Sequence, residues 1–376
     1  EAQLKMLPRT SPSQFFRGFV KHTRPAVGRR NISSSPPDKW CGGATLSICL
    51  DWTPNTNHSG IYAALRNGYF KEHGVDIEVI QPNQGEELTP GRKVARGMGT
   101  FAISSSESAV SFATTDTDSR LVAIAALLQG STSSICTLEE SGINCPKLLD
   151  GKRYASYDGR FEDAIVRQMV VNDGGAGDVK FHSLDFHGYS DLETMNEGSV
   201  VSTFLSNGGS DSTWIFSHWE AVKAERSKQK LNLMHLEDYG IPYGYSPVLL
   251  ASEQTLEKQP DMVRRVLAAL DQGYRFCAEN PYAAAEILQS EGKHPSLSDL
   301  QFLEASQLSI GSKYLLEGDV GDEDEGVWGR MDLERWTNWV DFLFDHEIVL
   351  DRQGVPLPRI SVNAKNLFTN EFLPEL

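Results

Sequence analysis

The 376-residue sequence has no apolar run long enough to cross a bilayer, which as a helix takes about 20 consecutive apolar residues. Cysteine is scarce: Cys41, Cys49, Cys136, Cys145 and Cys277. Their number is odd, their spacing is wide, and no Cys-x-x-Cys occurs. That pattern argues against a disulfide framework or a zinc site and for reduced thiols in an intracellular protein. A phosphate-cradling P-loop is excluded because Gly-Lys-Ser is absent. No Ser-His-Asp or Cys-His arrangement stands out for nucleophilic catalysis. His182 and His187 are not at the spacing of helical metal ligands. Gly97-Met98-Gly99-Thr100-Phe101-Ala102 matches a dinucleotide fingerprint on paper, but it precedes a strand instead of opening a helix after one. The acidic run Gly318 to Glu325 lacks the spacing and terminal Glu of a calcium loop and reads as solvated.

Positive charge is sparse and concentrated. The formal charge is −16. Eight basic residues (Lys5, Arg9, Arg17, Lys21, Arg24, Arg29, Arg30 and Lys39) face only Glu1 and Asp38 within residues 1–40, a balance of +6 that leaves −22 for the remainder. An acidic body argues against nucleic acid as a partner. Residues 1–40 are rich in Arg and Ser, with Phe15, Phe16, Phe19 and Val20 interleaved. This is the composition of a transit-like leader for a mitochondrion or plastid, with Arg29 to Ser35 as a processing region. The competing reading is a disordered basic tail on a cytoplasmic protein.

What remains is ordinary in bulk, 40% apolar and 23% charged, over a length that suggests roughly two to three domains. Strand and helix patterns alternate. A strand over 45–52 leads to a helix over 59–73 with Ser59 as its cap. Strands follow at 76–80, 100–103 and 121–128, with helices at 90–96 and 106–114 between them. A second unit begins near Ser133, with strands at 151–157, 179–184, 214–216 and 231–236. Helices at 161–172, 191–196 and 218–229 lie between these strands, and the chain returns at 247–251. Helical segments close the chain, among them one where Trp336, Trp339, Val340, Leu343 and Phe344 fall on one face. The fold expected is α/β and two-lobed, with parallel-sheet lobes and a helical tail. Lobe 1 would take 45–131 plus 245–376, and lobe 2 would take 132–244. The cleft between them is the natural ligand site.

Ligands of open α/β sheets sit at the C-terminal ends of strands, and there lies Asp51-Trp52-Thr53-Pro54-Asn55-Thr56-Asn57-His58. Trp52 can stack on a flat heterocycle or pack beneath its loop. His58 can meet an anion at a helix start or merely cap it. Asp158-Gly159-Arg160-Phe161-Glu162 is a strand-to-helix turn of the kind on which phosphates rest, or an ordinary βα turn. Trp219-Glu220 opens a helix, and its carboxylate can accept hydrogen bonds from an aminopyrimidine or simply suit the helix dipole. Tyr239, Tyr243 and Tyr245, interleaved with Gly240, Pro242, Gly244 and Pro247, mark a crossover hinge or a plain aromatic turn.

Together these residues resemble a known family. Asp51-Trp52-Thr53-Pro54-Asn55-x-x-His58 and Gly68-Tyr69-Phe70-Lys71-Glu72-x-Gly74-Val75-Asp76-Ile77 are similar to the opening of the thiamine pyrimidine synthase-like superfamily. The likeness continues through Phe161-Glu162-Asp163-Ala164, Trp219-Glu220, Tyr239-Gly240-Ile241-Pro242 and Gly329-Arg330-Met331-Asp332, and ends at Phe368 to Leu373. That superfamily holds formylaminopyrimidine-binding proteins and a synthase of the thiamine pyrimidine phosphate. The resemblance implies a periplasmic-binding-protein fold of type II, also found in sulfonate-binding proteins. It implies Trp52 stacked on a pyrimidine, Glu220 at its polar edge, and the Asp158 to Phe161 turn near a phosphate or equivalent group.

The ligand-binding set expected on this basis begins with Asp51, Trp52, Asn55 and His58 from the first loop, and with Ser106 and Glu107 beyond the third strand. Tyr157, Gly159, Arg160, Trp219 and Glu220 would come from the second unit, and Tyr243 and Tyr245 from the return. The synthase branch uses a pyridoxal-phosphate lysine, a sacrificed histidine and a Cys-Cys-Cys-Phe-Cys iron motif. Here Ser104 to Ser108 and Gly244 to Val248 stand in those places, and without an amine no Schiff base forms. The expected function is therefore binding of a thiamine-related aminopyrimidine in its synthesis or salvage. No cofactor is expected, and a transporter or a thiamine-pathway enzyme is the partner class. The alternatives are a synthase with an altered site using pyridoxal phosphate and iron, a hydrolase with Glu107 or Glu220 as base, or a binder of a small anion such as a sulfonate.

Overall fold

The structure is a computed structural model, and it describes residues 45–83, 88–115, 119–184, 205, 209–316 and 327–375. The basic leader, the helix expected at 191–196, His187, Cys41 and the acidic run lie outside the described residues. Two five-stranded sheets dominate. The strands are β1 Leu46–Cys49, β2 Ile77–Ile80, β3 Phe101–Ser104, β4 Leu121–Ala126, β5 Ser133–Leu138, β6 Arg153–Ser156, β7 Lys180–Ser183, β8 Ser212–Phe216, β9 Leu231–His235 and β10 Val248–Ser252. The first sheet runs β2-β1-β3-β10-β4 and the second β7-β6-β8-β5-β9.

The two sheets share one plan. Three parallel strands, β2-β1-β3 or β7-β6-β8, are extended by two strands around an antiparallel partner, β10 or β5. That partner is in each case the strand that enters directly from the other sheet. The chain crosses from β4 to β5 and again from β9 to β10. The sheets are therefore mixed, and the apolar run of β4 pairs antiparallel with β10. Burial on both faces, not strand direction, makes β4 apolar throughout. β5 carries no clean apolar alternation, because Ser133, Ser134 and Thr137 are all buried. Its polar groups find local partners instead, such as His235 Nδ1 at 2.8 Å from Ser134 Oγ.

Helices α1 Ser59–Asn67, α2 Tyr69–Glu72, α3 Pro90–Ala95 and α4 Ser106–Thr114 serve the first sheet, and α5 Glu162–Asn172 and α6 Val222–Arg226 the second. The remainder are α7 Glu253–Lys258, α8 Pro260–Glu279, α9 Pro281–Gly292, α10 Leu300–Ile310 and α11 Leu333–Asp345. The expected helix over 59–73 is split by Gly68 at φ 82°, a left-handed value that ends α1. The helix expected over 218–229 is shorter, because a π turn over Ser217–Ala221 precedes α6. Such a turn re-aims side chains at functional sites. Trp336, Trp339, Val340, Leu343 and Phe344 are all buried along α11. Among the described residues no helix is long and apolar enough to cross a membrane.

α1 lies against α8 at backbone contact. A Cβ added at Gly273 would come within 2.1 Å of the Gly60 carbonyl oxygen. Gly273→Ala is therefore expected to destabilise the fold by about 2 kcal/mol or more, in the upper range of overpacked cores. Chemical denaturation would measure it; an unchanged midpoint would show that the helices part without cost.

Candidate functional site

The C-terminal ends of β1, β3, β6 and β8 and the β9–β10 crossover converge on one cavity of about 320 Å³ between the sheets. Asp51, Trp52, Asn55 and Asn57 come from the loop after β1, and Ser104, Ser105 and Glu107 from the end of β3 and the start of α4. Tyr157, Gly159, Arg160, Phe161, Glu162 and Ile165 follow β6. Trp214, Phe216, His218, Trp219 and Glu220 belong to β8 and its π turn, and Tyr243 and Ser246 to the crossover. The volume lies at the small end of the range for ligand pockets.

The β1 loop is fixed from several sides. The Asn55 side chain accepts the Asn57 N–H at 2.9 Å and donates to the Thr53 carbonyl at 3.0 Å. The Asn55 N–H donates to His58 Nδ1 at 3.3 Å, so in the neutral ring the proton sits on Nε2 and is given to Asp51 Oδ1 at 2.9 Å. Tyr274 and Tyr314 donate to the carbonyls of Asn57 and Thr56 at 2.8 and 2.6 Å. His58 is thus fully buried with both nitrogens engaged, and it positions the loop without lining the cavity. Ser59 does not cap α1. It is the first residue of α1, where its hydroxyl donates to Gln307 Oε1 at 2.7 Å, and Asn55 caps the 3-10 turn Thr56–His58 that leads into the helix.

Aromatic rings form the walls. Trp52 meets Tyr157 edge to face at 6.0 Å between centroids and 81° between planes. Trp219 lies edge-on to Phe302 of α10 at 4.6 Å. Tyr243 packs between Trp214 and Trp339, at 5.6 and 5.2 Å.

Most polar side chains of the cavity wall have partners within the chain, but three atoms do not. Asn57 Oδ1, Glu107 Oε2 and His218 Nδ1 are buried and have no hydrogen-bond partner among the described residues, and all three residues line the cavity. An unmatched buried polar atom costs roughly 1–3 kcal/mol, so three around one cavity mark a surface built for a polar ligand. Glu107 Oε1 accepts the Tyr243 hydroxyl at 2.7 Å. Burial raises the Glu107 carboxyl above its usual range, against the pull of the Tyr243 hydroxyl, and so favours the protonated acid. Burial, with a smaller electrostatic contribution from His58, lowers His218 to about 3, which keeps its imidazole neutral. Glu220 Oε2 accepts the Phe216 N–H at 2.9 Å, and burial lifts this carboxyl to about 7.

Three expected site residues stand behind the cavity instead of lining it. Besides His58, Ser106 is fully buried with its hydroxyl turned to Gly244, where a Cβ would lie 2.3 Å from its Oγ. Tyr245 is held from the far side, its hydroxyl accepting the Asp332 N–H at 2.9 Å and its ring covered by the Arg335 guanidinium at 4.0 Å. Conversely, Asn57, His218, Trp214, Phe216 and Ser246 line the cavity without having been singled out as ligand residues. His218 had one available signal, its place directly before Trp219-Glu220 at a strand end.

Residues 55–284 match the model of the family described as NMT1/THI5 like. This chain belongs to the NMT1/THI5-like family. Relatives of this family member include a formylaminopyrimidine-binding protein of Halalkalibacterium halodurans, 24% identical over 81% of this chain and 86% of the relative. A 4-amino-5-hydroxymethyl-2-methylpyrimidine phosphate synthase of Legionella pneumophila is 23% identical over 65% of this chain and 72% of the relative. Among solved structures, the alkanesulfonate-binding protein SsuA of Xanthomonas axonopodis pv. citri superposes with a TM-score of 0.56 over 84% of this chain and 96% of that one, at 13% identity. At that identity the likeness shows the fold alone, which is the two-lobed periplasmic-binding-protein fold.

Proposed function

We propose that this NMT1/THI5-like protein binds a thiamine-related aminopyrimidine, of formylaminopyrimidine or hydroxymethylpyrimidine type, in the cavity between its sheets, in the synthesis or salvage of that pyrimidine. The observation that carries this reading is the buried Glu107 carboxyl, one oxygen held by Tyr243 and the other unmatched, on a residue that lines the cavity. A carboxylic acid accepts from an exocyclic amine and donates to the adjacent ring nitrogen, which is the paired edge of an aminopyrimidine. Trp52 and Tyr157 supply aromatic faces for a flat ring. The similarity to a formylaminopyrimidine-binding protein over most of both chains supports the same ligand class.

The described lining of the cavity holds no lysine, the amine that a pyridoxal Schiff base requires. Among the described residues no group of three or more His, Cys, Asp and Glu could hold a metal ion.

In a thermal-shift titration, 4-amino-5-hydroxymethyl-2-methylpyrimidine is expected to raise the melting temperature as a ligand of the native state. Trp52→Ala should weaken its binding about tenfold or more, the scale of a lost base–aromatic stack. A shift with alkanesulfonates and none with any aminopyrimidine would sink the proposal.

A further inference from the structure

The turn between β6 and α5 has the form of an anion seat, yet the chain fills that seat itself. Glu162 Oε2 accepts the N–H groups of Gly159 and Tyr157 at 3.0 and 3.1 Å. Its Oε1 accepts the Tyr154 hydroxyl at 3.0 Å and the same Tyr157 N–H at 3.3 Å. The side chain is buried and lines the ligand cavity. The turn is shaped for this closure. Asp158 takes φ 55°, a left-handed value that Asp tolerates better than most residues. A Cβ on Gly159 would come within 3.0 Å of Glu162 Oε2 and 3.2 Å of its Cβ, so glycine lets the carboxylate fold back on its own turn. The next donor is also taken, since the Ser156 hydroxyl donates to Asp163 Oδ1 at 2.7 Å.

We infer that Glu162 sets the charge class of the ligand: it occupies the amides a phosphate would need and restricts the cavity to aminopyrimidines that carry no phosphate. A phosphate monoester brings a charge of about −1.5 to −2 and would have to displace a carboxylate held by two backbone amides and a tyrosine. Arg160, on the same turn, pulls the other way. It is exposed at the rim, however, where water and salt screen its charge, whereas Glu162 acts from a buried position. Burial raises the Glu162 carboxyl, and the hydrogen bonds from Gly159, Tyr154 and Tyr157 oppose that rise; in its ionised form it discriminates by repulsion as well as by occupancy.

This inference rests on the aminopyrimidine reading for its ligand, and the test separates the two. Calorimetric titration of the wild type, Glu162→Gly and Glu162→Gln would use three probes: 4-amino-5-hydroxymethyl-2-methylpyrimidine, its phosphate monoester, and inorganic phosphate. The wild type is expected to bind the alcohol at least about tenfold more tightly than the ester and not to bind inorganic phosphate. Glu162→Gly should erase or reverse that preference and take up inorganic phosphate. Glu162→Gln, which keeps the size and removes the charge, should narrow the preference, and it decides the matter if the glycine variant does not fold. Wild-type protein that prefers the ester, or a preference unmoved by either substitution, overturns the inference while leaving the binding function intact. If the wild type binds neither pyrimidine, the proposed function fails, and uptake of inorganic phosphate by the variants but not the wild type still decides the role of Glu162.

Discussion

Glu107→Leu is expected to weaken aminopyrimidine binding about 100-fold while leaving the unliganded fold as stable as before, or more stable by about 1 kcal/mol. The two signs differ for one reason. In the unliganded protein the Glu107 carboxyl is desolvated and one of its oxygens is unmatched, so leucine removes a cost. Leucine also takes away the acceptor of the buried Tyr243 hydroxyl, a cost of similar size that offsets part of this gain. With ligand present the same carboxyl makes the pairing contact, and its loss leaves the ligand's amine and ring nitrogen facing apolar carbon. Calorimetric titration and chemical denaturation of one preparation would read both effects. A structural role alone would lower stability and leave affinity unchanged; that pattern would remove Glu107 from the site.

The second large effect concerns pH. Glu220 titrates near 4.5 in an unfolded chain and at about 7 in the fold, because burial disfavours its charged form. Between those values the unfolded chain has released the proton that the folded chain still holds. Stability is therefore fully present below about 4.5 and is lost as pH rises through about 7. The loss attributable to this one group is at most about 3 kcal/mol. Glu220→Gln retains an oxygen to accept the Phe216 N–H and cannot ionise, so its stability should be flat where the wild type declines. Glu107, Glu162 and Asp163 are also raised by burial and tilt both proteins in the same direction. The difference between wild type and Glu220→Gln across pH 4.5 to 7 isolates the one carboxyl. Parallel stability curves would mean that Glu220 ionises freely in the fold.

The sequence by itself determined where the first loop would stand. A short apolar strand followed by an amphipathic helix puts Asp51, Trp52 and Asn55 at a strand end, and they line the cavity. Local chemistry also marked the Gly159 turn and the Trp219-Glu220 start, since each lies between a strand and a helix. Tertiary structure alone decided which polar atoms would be left unmatched. Asn57, Glu107 and His218 come from three distant segments and meet only because the chain crosses twice between two sheets. That double crossing also placed an antiparallel strand in each sheet, which local periodicity does not encode. His58, Ser106 and Tyr245 carry side chains as suitable as their neighbours', but packing turned His58 and Tyr245 to partners behind the wall and buried the Ser106 hydroxyl, unmatched, against Gly244. Glu162, read from sequence as part of a phosphate turn, spends its carboxylate on that turn's own amides. The reason is common to all of these: sequence sets the local period and the available donors and acceptors, whereas long-range packing sets which of them are satisfied within the chain and which remain for a ligand.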